Sequence, residues 1–219
     1  MSFSQEWEKQ YADGCQQAVW PWSDLVGLVK RHCPNLAGKR VLELGCGAGA
    51  NIPFFVASQS RYHAIEGSQF AVQRLHERFP ELNGTIIVGD FTKGLPDAGF
   101  DLIIDRASLA HNDTKAIKSC LQFAWDAIKP GGLFIGVDWF STNHDEFGTG
   151  EPDVDEETRS DYQSGQFAGV GRVHFSDEAD LRTLFAKFDL IYLEEKIVRR
   201  VIPHGGYQAA TWNLVARKP

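Results

Sequence analysis

The chain is short of several things, and each shortage excludes something. It has four cysteines, Cys15, Cys33, Cys46 and Cys120, and no CxxC pair among them. No disulfide framework is expected from that spacing, and the thiols read as reduced, mostly buried groups of a cytoplasmic protein. It has no basic excess: 22 Lys and Arg stand against 29 Asp and Glu, a net charge of −7. Broad binding to a phosphate backbone needs a basic face, so no nucleic-acid partner is expected. No apolar run reaches membrane-spanning length, and the N-terminal "MSFSQEWEKQY" has neither an apolar core nor a basic lead. Neither a signal peptide nor a membrane anchor is expected. Repeats, low-complexity tracts and interdomain linkers are absent too. What remains is 219 residues, 43% hydrophobic and 23% charged, the make-up of an ordinary globule and here read as one domain, 1–219.

Apolar runs alternate with helical patterns. "RVLEL" (40–44), "YHAIE" (62–66), "TIIVGD" (85–90) and "FDLIID" (100–105) read as strands, apolar enough for burial on both faces of a parallel sheet. Helices are expected over 50–58, after residue 66, and after Asp113 or Thr114, the last with an apolar stripe of Ile117, Cys120, Leu121, Ala124 and Ile128. "KPGG" (129–132) ends that helix and "LFIGVDWF" is a fifth strand. Ser176 is the expected cap of "DEADLRTLFAKF", and the chain closes on two strands around a Gly-Gly turn. This order predicts an α/β, Rossmann-like three-layer sandwich: a seven-stranded, mostly parallel sheet with an antiparallel C-terminal hairpin. Two pieces stand outside the sheet, the aromatic-rich lead 1–38 and the segment 139–175, and both are candidates to cover a ligand.

The first strand runs into "ELGCGAG", with Gly45, Gly47 and Gly49 spaced one residue apart. Such a turn reverses the chain tightly, brings bare backbone to a ligand and opens a helix whose N–H groups face it. A pyrophosphate-binding fingerprint sets its third glycine three residues after the second. Here it comes one place earlier, and Glu43 stands in the strand, where a carboxylate would repel a phosphate and attract an ammonium or sulfonium group. The ligand therefore reads as cationic.

At these residues the sequence resembles the class I S-adenosylmethionine-dependent methyltransferases, from about residue 38 onward. "ELGCGAG", with Glu43, Gly45, Cys46, Gly47 and Gly49, is similar to that family's first motif. Glu66, followed by Gly67 and Ser68, matches the acid that holds the ribose hydroxyls. Asp90 and Phe91 of "GDF" match the residues that read the adenine amino group and pack on its ring, and "IKPGGLF" matches the turn before strand five. Four motifs in order, at the family's spacing, carry the resemblance, and it implies S-adenosylmethionine as cofactor. Trp7 and Tyr11 share one helical face, as an aromatic pair does in the thiopurine methyltransferase type, where it packs on the methionine end of the cofactor. Trp20 and Trp22 either line the same pocket or anchor the lead.

Acceptor groups are expected after strand four, in "IIDRASLAHND". This is similar to the "DRG-A-L" stretch of the thiopurine type, with Ala107-Ser108 in place of Gly-Ala, and it lacks the Pro-Pro-aromatic signature of DNA amino-methylating enzymes. Asp105 and Arg106 are candidates to position cofactor or acceptor, and His111 is the candidate base. No metal is expected: Asp105 and Asp138 would be the acids of a catechol-type site, but Trp139 follows where Asn is required. The aromatics of 139–175 suit a cap over a small acceptor on oxygen or nitrogen, such as a sugar, sugar nucleotide or secondary metabolite. Methylation of a protein or RNA site, and a non-catalytic partner subunit, stay open as alternatives. The oligomeric state is not legible.

Overall fold

A computed structural model describes residues 5–203 and 205–219. Residues 1–4 of the expected lead and His204 beside the expected turn lie outside the described residues.

The lead supplies two helices, α1 (Gln5–Ala12) and α2 (Ser23–His32). Strands and helices then alternate: β1 (Arg40–Leu44), α3 (Ile52–Ala57), β2 (Arg61–Glu66), α4 (Gln69–Arg78), β3 (Ile86–Val88), β4 (Phe100–Arg106), α5 (Thr114–Ala127) and β5 (Ile128–Phe140). Three short strands follow, β6 (Glu151–Pro152), β7 (Thr158–Ser160) and β8 (Val173–His174), then α6 (Glu178–Leu184), β9 (Asp189–Arg199) and β10 (Gln208–Arg217).

The main sheet has seven strands in the order β3-β2-β1-β4-β5-β10-β9. The first five are parallel, and β10 runs antiparallel to both β5 and β9. The architecture expected from the alternation is the one observed. From β1 the chain winds outward through β2 and β3, then crosses back to place β4 on the other side of β1. The carboxyl ends of β1 and β4 therefore flank the crevice where the winding direction reverses, the place such sheets offer a ligand.

Each face of the sheet carries its own core, as a doubly covered sheet requires. One joins Leu42, Leu44, Ile103 and Phe134 to the stripe of α5 and to Leu181, Leu184 and Phe185. The other joins Val41, Leu102, Ile104 and Ile135 to α2, α3 and α4 through Leu25, Val29, Phe55 and Leu75. Within β1, Leu42 thus faces one layer while Val41 faces the other, the alternation a strand imposes.

Several local expectations shift. The helix expected over 50–58 is Ile52–Ala57, because Ala48 to Asn51 are spent on the turn that follows the glycines. Helix α6 is capped by Asp177, whose side chain accepts from Asp180 N–H, rather than by Ser176, which is buried. A carboxylate one residue closer to the first turn takes the cap. Helix α5 is capped by Asp113, accepting from Ala116 N–H at 2.8 Å. The segment after β5 is no irregular cover. Strands β6, β7 and β8 form a small antiparallel sheet over an apolar cluster of Tyr162, Phe167, Val170, Val173 and Phe175. Trp139, expected at the start of that cover, belongs instead to the main core.

Candidate functional site

At the crevice lies a cavity of about 320 Å³. Its floor is the glycine turn and the ends of β1, β2 and β4; its roof is α1, the loop before α2, and Gln166, Phe167 and Val170 of the connection before β8.

Gly45 takes φ +63°, and a Cβ there would sit 2.4 Å from Ser108 Cβ, so the loop after β4 packs directly on bare backbone. Gly47 takes φ +52°, and a Cβ there would meet the Tyr11 hydroxyl at 2.7 Å. Both conditions, positive φ and close approach, require glycine. Gly49 is different. It does not line the cavity; its missing Cβ makes room for Leu75 and Ile52. The expectation that all three glycines face the ligand is corrected to two, with the intervening Cys46 also at the cavity wall.

Glu66 ends β2 and is 3% exposed. Its Oε2 accepts from Gly47 N–H at 2.8 Å and its Oε1 from Ser68 N–H at 2.9 Å. Burial pushes its carboxyl up, and the N–H groups of Ser68, Gly47 and Gly67 pull it back. Each oxygen keeps a second lone pair, so the acid can still accept from two hydroxyls. Gly67 lines the cavity, but Ser68 does not. Its side chain caps α4 by accepting from Ala71 N–H at 3.0 Å, which corrects its expected place at the ligand.

Asp90, beyond β3, folds Oδ1 back onto Thr92, accepting from its N–H at 2.9 Å and its hydroxyl at 2.6 Å. Its Oδ2 is buried and has no hydrogen-bond partner, although Asp90 and Phe91 both line the cavity. An orphaned buried carboxylate oxygen costs free energy unless a donor arrives. An N–H donor bound in the cavity beside the Phe91 ring would supply the missing partner.

Glu43 also borders the cavity, yet both its oxygens are engaged. Asn51 Nδ2 donates to Oε1 at 2.8 Å and the Tyr62 hydroxyl donates to Oε2 at 2.5 Å. Burial raises its carboxyl to about 7, so it is no full negative charge at neutral pH. The sequence argument that a bare carboxylate attracts a cation is weakened accordingly.

The loop after β4 departs most from expectation. Asp105 is fully buried and does not line the cavity. Trp139 Nε1–H donates to its Oδ2 at 2.7 Å and Leu109 N–H to its Oδ1 at 3.0 Å. The Ser108 hydroxyl touches both Asp105 Oδ1 and the Leu44 carbonyl, the latter at 2.6 Å. Burial raises the Asp105 carboxyl to about 6, while donors from Ser108, Leu109 and Trp139 pull against it. Asp105 anchors the loop and is withdrawn as a ligand or acceptor group. Ala107, at the expected glycine position, holds φ +58°.

Arg106 does reach the cavity. Its Nε and Nη2 donate to Asp138 Oδ2 at 3.1 and 3.0 Å, and its guanidinium lies 3.7 Å from the Trp22 ring centroid. Asp138 also accepts from Lys196 at 2.8 Å. The two acids considered for a metal are thus engaged, Asp138 by two cations and Asp105 by Trp139. Trp22 lines the cavity, whereas Trp20 is 79% exposed.

His111 lines the acceptor side with its ring 4.8 Å from Trp7 and 5.7 Å from Phe140, both edge-on. Its Nδ1 is 3.1 Å from the Arg172 carbonyl. A carbonyl only accepts, so Nδ1 carries the proton and Nε2 keeps a lone pair. Burial holds its pKa down to about 4, and the Arg106 charge adds to this. No carboxylate is among its described partners. Trp7 and Tyr11 sit side by side at 5.9 Å, as their helical spacing implies. Sequence reasoning missed Gln166, which lines the cavity together with Phe140 and Phe167. Its signal was "GQFAGVG", where Gly165, Gly169 and Gly171 all take positive φ and fold the chain back sharply.

Comparison with known proteins agrees with this geometry. A family model described as a methyltransferase domain matches residues 41–132. A malonyl-[acyl-carrier protein] O-methyltransferase from Chlorobium luteolum is 31% identical over 130 residues, 56% of this chain and 48% of that protein. The chain spans about half or less of the length of the curated relatives it matches. Among solved structures, a SAM-dependent methyltransferase from Methanosarcina mazei aligns with TM-score 0.69 at 17% identity, covering 91% of this chain and 98% of that one. A 1,6-didemethyltoxoflavin-N1-methyltransferase from Burkholderia thailandensis aligns with TM-score 0.65 at 18% identity, covering 98% and 86%. At such identities the structures speak for the fold; the domain match speaks for the family. Residues 41–132 match the methyltransferase-domain family, and the chain as a whole has the fold of the S-adenosylmethionine-dependent methyltransferases it aligns with.

Proposed function

We propose that this chain transfers a methyl group from S-adenosylmethionine to an oxygen or nitrogen of a small molecule such as a sugar, a sugar nucleotide or a secondary metabolite. The observation that carries the reading is the convergence on one cavity of Glu66, with lone pairs free on both oxygens, and Asp90, with an orphaned Oδ2. These two acids, the bare backbone of Gly45 and Gly47 and the Phe91 ring fit an adenosine. Glu66 would hold the ribose hydroxyls, Asp90 the adenine amino group and Phe91 the ring face. Trp7 and Tyr11 close the other end, where an aromatic face suits a sulfonium.

When bound, the cofactor supplies an electrophilic methyl group. The protein's own part is positioning and exclusion of water, which can account for much of the rate of such a displacement. Arg106, stacked on Trp22, forms a wall whose charge is already matched by Asp138, and His111 Nε2 offers a hydrogen-bond acceptor. The modest volume and the ring-lined acceptor end support a small acceptor over a macromolecule.

Partners and location are part of the proposal. In the C-terminal hairpin Lys196 pairs with Asp24 and Asp138, and Arg200 lies 4.9 Å from the Tyr207 ring centroid. This favours no nucleic-acid partner. Among the described residues no helix is long and apolar enough to cross a membrane. All four thiols are free, in keeping with the proposed cytoplasmic setting.

The test is binding of S-adenosylmethionine by calorimetry, followed by transfer of a labelled methyl group into a metabolite extract. Binding followed by labelling of a small molecule is the expected result. A protein that binds NAD and ignores S-adenosylmethionine would overturn the reading.

A further inference from the structure

Glu146 is a buried acid, 6% exposed, in the cover over the cavity, and no cation pairs with it among the described contacts. Its carboxylate is matched by neutral donors alone. Gln166 N–H and the Tyr207 hydroxyl donate to Oε1 at 3.1 and 2.8 Å, and Phe167 N–H to Oε2 at 3.4 Å. Gly165, at φ +86°, lets the turn wrap this closely, because a Cβ there would meet Oε2 at 2.7 Å. The turn 165–167 is therefore moulded on one carboxylate, and two of its residues, Gln166 and Phe167, line the cavity.

The orientation of the Gln166 amide follows from its neighbour. His144 Nδ1 accepts from Glu146 N–H at 3.1 Å, so Nδ1 is unprotonated. Burial lowers the His144 pKa, which keeps the ring neutral with its one proton on Nε2. The Gln166 Nε2 is placed 2.9 Å from that Nε2, and two N–H donors cannot satisfy each other. The amide is therefore assigned with its oxygen toward His144, which leaves the NH2 group as the free donor of a side chain that lines the cavity. Around it stand ring faces and edges: Phe167 and Phe140 meet edge-on at 4.7 Å, and Phe140 meets His111.

We propose that the 165–167 turn selects the acceptor: Glu146 positions it, and the Gln166 NH2 group donates to a carbonyl or ring nitrogen on a flat, uncharged acceptor laid against the Phe140–Phe167 pair. This rests on the methyl-transfer reading and narrows it. An ammonium group would lose its hydration against the Gln166 NH2, a donor that offers it no lone pair. A flat neutral heterocycle loses little and gains both stacking and the amide bond. Glu146 touches no ligand; it acts through the turn as a positioning residue.

The test uses the full chain saturated with S-adenosylhomocysteine and two probes of similar size, neutral quinazolin-4-one and cationic 1-naphthylmethylammonium, with affinities read by calorimetry. Quinazolin-4-one is expected to bind and the cation to bind at least tenfold more weakly. Gln166→Ala should weaken quinazolin-4-one by about 5–20-fold. Glu146→Gln should produce a similar loss with Gln166 intact, and Tyr207→Phe a smaller one, while S-adenosylhomocysteine affinity stays within about twofold. That split, together with displaced amide resonances of Gln166 and Phe167 in Glu146→Gln, is what a general loss of stability would not give. If Glu146→Gln fails to fold, Gln166→Ala and Tyr207→Phe decide. Equal binding of both probes, or an unchanged affinity in Gln166→Ala, overturns the proposal while leaving cofactor binding standing. Failure of the wild type to bind S-adenosylhomocysteine would overturn the methyl-transfer reading, and this proposal with it.

Discussion

Gly47 N–H donates to Glu66 Oε2, so one acid at the end of β2 ties down the glycine turn that follows β1. The residue read as the ribose ligand is also the strut of the loop beside it. Substitution should therefore remove a ligand contact and loosen the turn together. Glu66→Gln should weaken S-adenosylmethionine by about 10–100-fold, the loss of one or two charge-assisted bonds. Calorimetry checks it. An unchanged affinity would take Glu66 out of the site.

Glu43 makes stability depend on pH. Its folded carboxyl titrates at about 7 against an ordinary 4.5, so the native state holds a proton that the unfolded chain releases. The sign is fixed: this contribution is complete below pH 4.5 and is lost as pH rises through 7, by about 3 kcal/mol at most. Asp105 adds to the same trend at lower pH. Glu43→Gln should narrow the difference between melting temperatures at pH 5 and pH 8 by several degrees. A difference as wide as that of the wild type would show that Glu43 titrates normally.

His111 was expected as a general base with a near-neutral pKa. With its pKa near 4, it is neutral throughout the physiological range and grips a proton weakly. The rate should be flat in this residue from about pH 5.5 to 8.5 and fall only toward pH 4, and His111→Ala should lower kcat less than about tenfold while raising KM. A hundredfold loss of kcat with an inflection near pH 6.5 would restore the base.

Ala107 sits in left-handed backbone at the rim of the cavity. Such a residue costs about 1 kcal/mol relative to glycine in that conformation. Ala107→Gly should leave thermal stability equal or slightly higher, within about 1 kcal/mol. Ala107→Val, whose branched Cβ fits that region worse, should melt several degrees lower. A Val variant as stable as wild type would show that the strain is absent.

The sheet order and the cofactor side were legible because their signals are local. Alternating apolar runs report burial, and Gly45, Gly47, Glu66 and Asp90 each stand at a strand end where the turn chemistry is written in two or three residues. The acceptor side was not, because its meaning depends on contacts across the chain. Asp105 looked like a functional acid until Trp139, 34 residues on, was seen to occupy it. Gln166 carried no chemical signature, and its role comes from His144 and Glu146, some twenty residues earlier. Ser68 and Gly49 were assigned to the ligand by adjacency, whereas helix capping and packing claim them.

Helix α1 has eight residues, fewer than an isolated helix needs to persist in water. It is held by distant parts of the chain: Glu8 accepts from Phe70 N–H, 62 positions away, and Gln10 Nε2 donates to the Gly169 carbonyl, 159 positions away. Contacts that span so much sequence form only after the segments they join are in place. Neither partner belongs to the two cores of the sheet, so the wall bearing Trp7 and Tyr11 is an addition to an architecture that does not depend on it. A chain without its first dozen residues should then keep its fold and lose most of its hold on the methionine end of the cofactor.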